Sequence, residues 1–326
     1  MNTQTLGEPR FASTLSHTIS DDVRIPERIE IGAEPGITFE LAGPRATLFF
    51  DPKQTRAGIV TCGGLCPGLN NVIRSLFLEL HYSYGIAEVL GFRGGYKGLD
   101  PERGDEPVKI TPLFVDGIHQ KGGTILGSSR GPVDMGRAVE NLIARGVNIL
   151  FTVGGDGTQR GANDLYQEAR NRGHALSVVG VPKTIDNDVG FVSRTFGFFT
   201  AVEESARVLD CAHTEARSVD GGIGLVKLMG RHAGFITAGA VVVGQHVNFA
   251  LILEVPFAWG ILISWESMIS RRTSFRIRSE SSPQNYRLNQ VPSWEFRNRR
   301  KSFTPRQLAG ILWDFTYLCW ANPGMR

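Results

Sequence analysis

The chain has 326 residues, 41% of them hydrophobic, and a formal net charge of +3 at pH 7. That length suits about two ordinary domains, the apolar content excludes a disordered chain, and the charge is too small to indicate nucleic acid by itself. The cysteines Cys62, Cys66, Cys211 and Cys319 are scattered, as suits a reducing cytosol, so a cytoplasmic location is expected. Cys62 and Cys66 lack the second pair or nearby His that would complete a metal site. Met1 to Pro26 carries no apolar run of the secretory type. The most apolar stretch, Val247 to Ile263, is interrupted by Glu254 and Pro256, so no membrane span is expected.

Residues 1–43 read as a polar extension with apolar anchors at Ile29, Ile31 and Phe39. Ala57 to Thr61 reads as a strand feeding the turn Gly63-Gly64-Leu65-Cys66-Pro67-Gly68. Val72 to Leu80 follows with helical spacing, and Ala87 to Phe92 is a second strand. Gly136 to Arg145 and Gly161 to Arg172 predict helices, and Ile149 to Val153 and Ser177 to Val181 predict strands. Phe198 to Thr214 predicts a helix. Ile223 to Leu228, Ala240 to Val243 and Phe249 to Glu254 predict strands, with Gly234 to Ala238 a short helix among them. Such alternation predicts an α/β fold of mostly parallel sheets with helices on both faces.

Beyond Phe257 the composition changes. Eleven Lys and Arg stand there against four Asp and Glu, all five tryptophans lie there, and only three of the 39 glycines do. Residues 269–287 show neither period, 297–301 is nearly a basic run, and Ala309 to Trp320 is apolar enough to dock on something.

The chemistry concentrates at strand ends, where open α/β sheets bind ligands. Gly63-Gly64 with Pro67-Gly68, between strand and helix, suits either a phosphate-binding turn or a plain connection. The glycine-rich Gly122 to Ser129 ends in Arg130, whose guanidinium can bridge phosphate oxygens. Gly154-Gly155-Asp156-Gly157-Thr158 puts a carboxylate where Mg2+ bridging nucleotide phosphates could be held, or where a helix could be capped. Pro182-Lys183-Thr184-Ile185-Asp186-Asn187-Asp188 crowds two carboxylates at i, i+2, which extended backbone turns to one face. One could serve as a general base while the other contacts metal, or both could make local turn hydrogen bonds. Met229-Gly230-Arg231-His232 follows an apolar strand and could bring Arg231 to a phosphate. Glu254 ends another strand, where it could accept hydrogen bonds from sugar hydroxyls.

These strings, with Ser193-Arg194-Thr195-Phe196-Gly197 and Leu253-Glu254-Val255-Pro256-Phe257, resemble the phosphofructokinase family in content and order, from about Ala57 to Phe257. The resemblance is to the branch holding plant-type ATP-dependent and pyrophosphate-dependent enzymes. It implies two Rossmann-like three-layer domains and transfer of a phosphoryl group to the 1-hydroxyl of fructose 6-phosphate. By resemblance Asp186 is the base, Thr184 and Asp188 its neighbours, and Asp156 the Mg2+ ligand. Gly64, Tyr96, Arg130, Gly155, Gly157, Thr158 and Lys183 fall around the phosphoryl donor. Met229, Gly230, Arg231 and Glu254 fall around the sugar phosphate, with Arg231 also counted in the catalytic set. Gly157 resembles ATP users, whereas pyrophosphate users carry Asp there. Lys183 is common to pyrophosphate users, and the pair together resembles plant-type ATP enzymes. ATP is therefore the expected donor and pyrophosphate the alternative. A homo-oligomer, dimer or tetramer, is expected on the same ground, with no nucleic-acid or membrane partner.

The resemblance implies a division into an extension (1–43), a donor domain (44–182), a partial sugar-phosphate domain (183–257) and an atypical tail (258–326). The motifs that clamp the sugar 6-phosphate find no clear counterpart in the tail. A tail of foreign origin and an incomplete second domain are expected. The alternative is a member that binds nucleotide without turnover or regulates a partner.

Overall fold

The computed structural model describes residues 6–19, 24–26, 38–40, 42–190, 192–220, 222–230, 232–255, 296–298, 301–303 and 316–321. Ile29, Ile31, Arg231, Pro256, Phe257 and most of the tail lie outside them. The chain divides into two compact units. One holds residues 1–184 and 189–197; the other holds 185–188 and 198–326.

The first unit begins with short strands β1 (Phe11–Ala12), β2 (Arg24–Pro26), β3 (Thr38–Glu40) and β4 (Thr47–Leu48). They form two small antiparallel ladders, β1 on β4 and β2 on β3. The main sheet follows: β5 (Arg56–Thr61), β6 (Glu88–Phe92), β7 (Val108–Ile110), β8 (Val147–Gly154) and β9 (Ser177–Pro182), in the order β7-β6-β5-β8-β9. Four strands are parallel and only the edge strand β7 runs antiparallel.

β5 is buried from Ala57 to Thr61, which explains its unbroken apolar run. Its alternate residues feed two cores on opposite faces of the sheet. Ala57 and Ile59 pack with Ile73, Phe77 and Val89. Val60 and Cys62 pack with Phe92, Leu150, Leu142 and Leu165. Each such fully buried aliphatic side chain stabilises the fold by about 1.5–3 kcal/mol.

Helices α1 (Leu69–Leu78), α2 (Pro112–Val115), α3 (Met135–Ala144) and α4 (Asp156–Asn171) complete this unit. α1 buries Leu69, Asn70, Ile73 and Phe77 at helical spacing. α3 is capped by Asp134, whose side chain accepts the Arg137 N–H at 3.0 Å. α4 starts at Asp156, five residues before the position its apolar period predicts. Those five residues are mostly polar and include Gly157, which weakens the periodic signal. They are held by packing instead: Thr158, Gly161 and Ala162 are buried beneath the helix.

In the second unit, helices α5 (Phe198–Arg217) and α6 (Phe235–Gly244) pack on each other and on strands β10 (Ile223–Leu228) and β11 (Phe249–Leu251). The strand expected at Ala240 to Val243 is instead the C-terminal half of α6. Its β-branched run favours a strand locally, but Ile236, Thr237 and Ala240 are buried in the helical arrangement, and packing prevails over propensity. Strand β12 (Phe296–Asn298) pairs with β13 (Lys301–Phe303) as a hairpin. Strand β14 (Thr316–Ala321) lies between β10 and β11, antiparallel to both. The sheet of this unit thus departs from the expectation of parallel pairing, and the tail supplies its middle strand.

Candidate active site

Three turns of the first unit meet at the carboxyl ends of its parallel strands. Lys183, at 6% exposure, follows β9 and donates from Nζ to the Gly64 carbonyl at 2.6 Å. Arg130 comes from the loop before α3, and its guanidinium nitrogen lies 3.1 Å from where a Cβ on Gly64 would stand. Two cations therefore flank the Gly63-Gly64 turn. The third turn joins β8 to α4. Gly155 is its extended N-cap, and the Lys183 N–H donates to the Gly154 carbonyl at 3.0 Å, tying the β8 and β9 exits together. Asp156 is exposed in the first turn of α4. A Cβ on Gly157 would meet no atom within 4 Å. Exposed glycine, helix N-terminus and two cations make an anion-binding surface.

Tyr96 and Thr158, read from sequence as residues around a donor, lie beneath that surface. Tyr96 is 8% exposed and its hydroxyl donates to the Thr158 carbonyl at 2.6 Å. Burial pushes its phenol pKa upward, so it stays protonated as a donor. Cys62 beside them is pushed up to about 12 by burial, more than Lys183 and nearby hydrogen bonds offset. Its thiol remains protonated and unreactive.

Several polar groups that frame these turns carry no motif. Asn70, 2% exposed, donates to the Lys121 carbonyl at 2.9 Å and accepts the Ile125 N–H at 2.7 Å. Thr61 donates to the Gly127 carbonyl at 2.7 Å, and its single proton is thereby used. The 2.9 Å contact between the Thr61 and Thr124 hydroxyls must then be donated by Thr124. Ser128 donates to the Gly63 carbonyl at 2.6 Å. Asn70 precedes the helix that spacing predicts from Val72, so sequence reasoning misses it; only the longer helix, Leu69–Leu78, puts it on the buried face with Ile73 and Phe77. Gly68 at φ 98° with the Phe196 ring 3.2 Å from its would-be Cβ admits no other residue.

The chain leaves the first unit after Thr184, which is half-buried, and returns at Val189. Between them Ile185 packs against Leu209, Leu228 and Ile236 of the second unit's core. Asp186 beside it is half-buried and Asp188 exposed, with Asn187 between them at φ 57°. Also in the second unit, Met229 is exposed and Gly230 sits at φ 128° after β10. Glu254 lies just past β11 and accepts the N–H of Gly234, the N-cap of α6, at 2.7 Å. One carboxylate oxygen of Glu254 is thus committed to a helix N-terminus.

Fold and turns define an α/β protein with a cation-flanked, glycine-lined turn of a kind that suits an anion. A phosphofructokinase family model matches residues 56–291, past the Phe257 where the recognisable motifs end. The chain belongs to the phosphofructokinase family. It is 46% identical over 265 residues to the ATP-dependent 6-phosphofructokinase of Trypanosoma cruzi, covering 80% of this chain and 54% of that protein. The ATP-dependent 6-phosphofructokinase of Trypanosoma brucei brucei is 52% identical over 219 residues, covering 67% and 45%. The crystal structure of a pyrophosphate-dependent phosphofructokinase from Marinobacter aquaeolei matches with a TM-score of 0.56 at 25% identity, over 67% of this chain and 58% of that one. The chain spans about half the length of the curated relatives it matches.

Proposed function

We propose that this chain is an ATP-dependent 6-phosphofructokinase that moves the terminal phosphoryl group of ATP to the 1-hydroxyl of fructose 6-phosphate. The observation that carries this is the open space over Gly157 on the first turn of α4. An α-phosphate would fit there, beside a turn flanked by Lys183 and Arg130. Relatives named as ATP-dependent enzymes support the same donor.

In this reading residues 44–182 bind the donor and residues 183–257 the sugar phosphate, with Lys183 at the junction serving the donor side. The described sheet of the second unit has three strands against five in the first. Asp186 takes the proton of the attacking hydroxyl. Its pKa need not be high, because that proton turns acidic late in the transfer. Thr184 and Asp188 orient the hydroxyl. Lys183 and Arg130 stabilise charge on the transferring group, and Gly64, Gly155 and Thr158 line the phosphates. Tyr96 supports that lining from below. Met229, Gly230, Arg231 and Glu254 receive the sugar phosphate, Arg231 lying outside the described residues. Asp156 suits Mg2+, being an exposed carboxylate beside the phosphate space. Bound there, the ion would offset the charge of the phosphates. A homo-oligomer completes the reading. Pyrophosphate, which Lys183 suits, is the alternative donor, and a solved structure similar to this chain is titled a pyrophosphate-dependent phosphofructokinase.

A coupled assay with Mg-ATP and Mg-pyrophosphate on the native chain and on Asp186→Ala tests this. ATP-driven turnover that falls at least about 100-fold in the variant is expected. Equal rates in both proteins would overturn the role of Asp186, and preference for pyrophosphate would reverse the donor. Mg-ATP binding without turnover would favour the regulatory member instead.

A further inference from the structure

We propose that Asn70 is a positioning residue for the phosphoryl donor, acting through Arg130; this rests on Arg130 contacting the donor's phosphates. The loop from Lys121 to Arg130 begins with Gly122, exposed and with no neighbour for a Cβ within 4 Å, and Gly123 at φ +74°. Such a loop has little stiffness of its own. Its order comes from outside. Asn70 clamps both ends of the glycine turn with one buried amide, through the Lys121 carbonyl and the Ile125 N–H. Thr124 donates a hydrogen bond to the Thr61 hydroxyl, and Thr61 donates to the Gly127 carbonyl. Ser128 then reaches the Gly63 carbonyl, and the Gly63 N–H donates to the Ser129 carbonyl at 3.1 Å. The chain of contacts ends one residue before Arg130.

Arg130 itself is exposed, so nothing in its own burial fixes it. Its place over Gly64 depends on where the loop backbone stands. Neither atom of the Asn70 amide is spare: one donates, one accepts, and both partners are main-chain groups of the loop. A side chain that served helix α1 alone would not need both. Misplacing a charged group by about an ångström can cost orders of magnitude in a site built on geometry.

The test is a double-mutant cycle read by calorimetric titration of Mg-ATP into the full chain, with thermal unfolding followed in parallel. Asn70→Asp keeps the acceptor for Ile125 but sets oxygen against oxygen at Lys121. Arg130→Met removes the cation. Each alone is expected to weaken Kd about tenfold. Together they should be no weaker than Arg130→Met alone, to within about twofold. Multiplying effects would overturn the proposal, as would a lower melting temperature with unchanged Kd, which marks a purely structural role. If Arg130→Met leaves Kd unchanged, the donor contact itself is wrong and the proposal falls with it. Should Asn70→Asp not fold, Thr124→Val breaks the next link of the chain and enters the same cycle with the same two outcomes.

Discussion

Gly157→Asp separates donor choice from stability. The position is the second residue of α4, exposed, with open space for a Cβ and no left-handed backbone. The new side chain therefore strains nothing. A carboxylate in the first turn of a helix is favourable by about 0.3–1 kcal/mol, so the variant should melt no lower than the parent. In the proposed donor site the same carboxylate would meet the α-phosphate of ATP. Two unit charges about 4 Å apart repel by about 4 kcal/mol at an effective dielectric near 20. Salt and bound magnesium screen part of this, and roughly half is about 2 kcal/mol, or 30-fold.

The expected result is a fall of about 30- to 1,000-fold in kcat/KM for ATP, with the KM for fructose 6-phosphate within about twofold of the parent. Pyrophosphate has no phosphate in the α position, so any activity with it should be spared or raised. Gly157→Ser, small and neutral, separates charge from bulk and should lose far less. Equal losses with both donors would refute the reasoning, as would a lowered melting temperature. The first would mean that the space over Gly157 is not where an α-phosphate lies, and the second that the position does not accept a side chain freely.

Tyr96→Phe strips the Thr158 carbonyl of a buried 2.6 Å donor and should cost about 1–2 kcal/mol in a denaturant titration, with m unchanged. Glu254→Ala frees the Gly234 N–H at the start of α6; about 1 kcal/mol should be lost, and no loss would mean the contact contributes nothing to stability. His213 has its pKa lowered, first by burial and then by His246 and Arg217, with Asp210 opposing. The unfolded chain thus takes up this proton at higher pH than the folded one. Its presence costs nothing above about pH 7 and destabilises as pH falls through the ordinary His value near 6.5. Melting curves from pH 7.5 to 5.5 should fall less steeply in His213→Gln; an identical slope would remove His213 from the account.

The first unit was legible because its strands are buried on both faces, which writes them as short apolar runs. β7 escaped notice because three residues, Val108 to Ile110, carry no period. The start of α4 was hidden by the same glycines that suit it to phosphate. Turn chemistry could be read locally, since Gly63-Gly64 and Gly154 to Thr158 are contiguous. What links the turns could not. Lys183 reaches the Gly64 carbonyl across 119 residues, and Thr61 reaches Gly127 across 66. No spacing rule connects such pairs, because the strand order that joins them is a property of the folded sheet. Asn70 was missed with them, because the predicted helix begins at Val72 and the first turn that buries Asn70 carries no period of its own.

The second unit shows how a tail unlike the rest of the chain in composition can still meet a structural need. β10, α6 and β11 form a strand-helix-strand unit, and such crossovers hold their two strands parallel. Both strands pair antiparallel to β14, so they do run in one direction. They are not neighbours, however; one strand's width separates them. Left empty, that gap would face two inner edges with unpaired N–H and C=O groups. β14 fills it, matched to β10 from Ile223 opposite Ala321 to Leu228 opposite Thr316, and to β11 from Phe249 opposite Cys319 to Leu251 opposite Tyr317. A short apolar segment of β-branched and aromatic residues is enough for this, because a strand is recognised mainly by its backbone. The gap between β10 and β11 is therefore paired by the very segment whose composition set it apart.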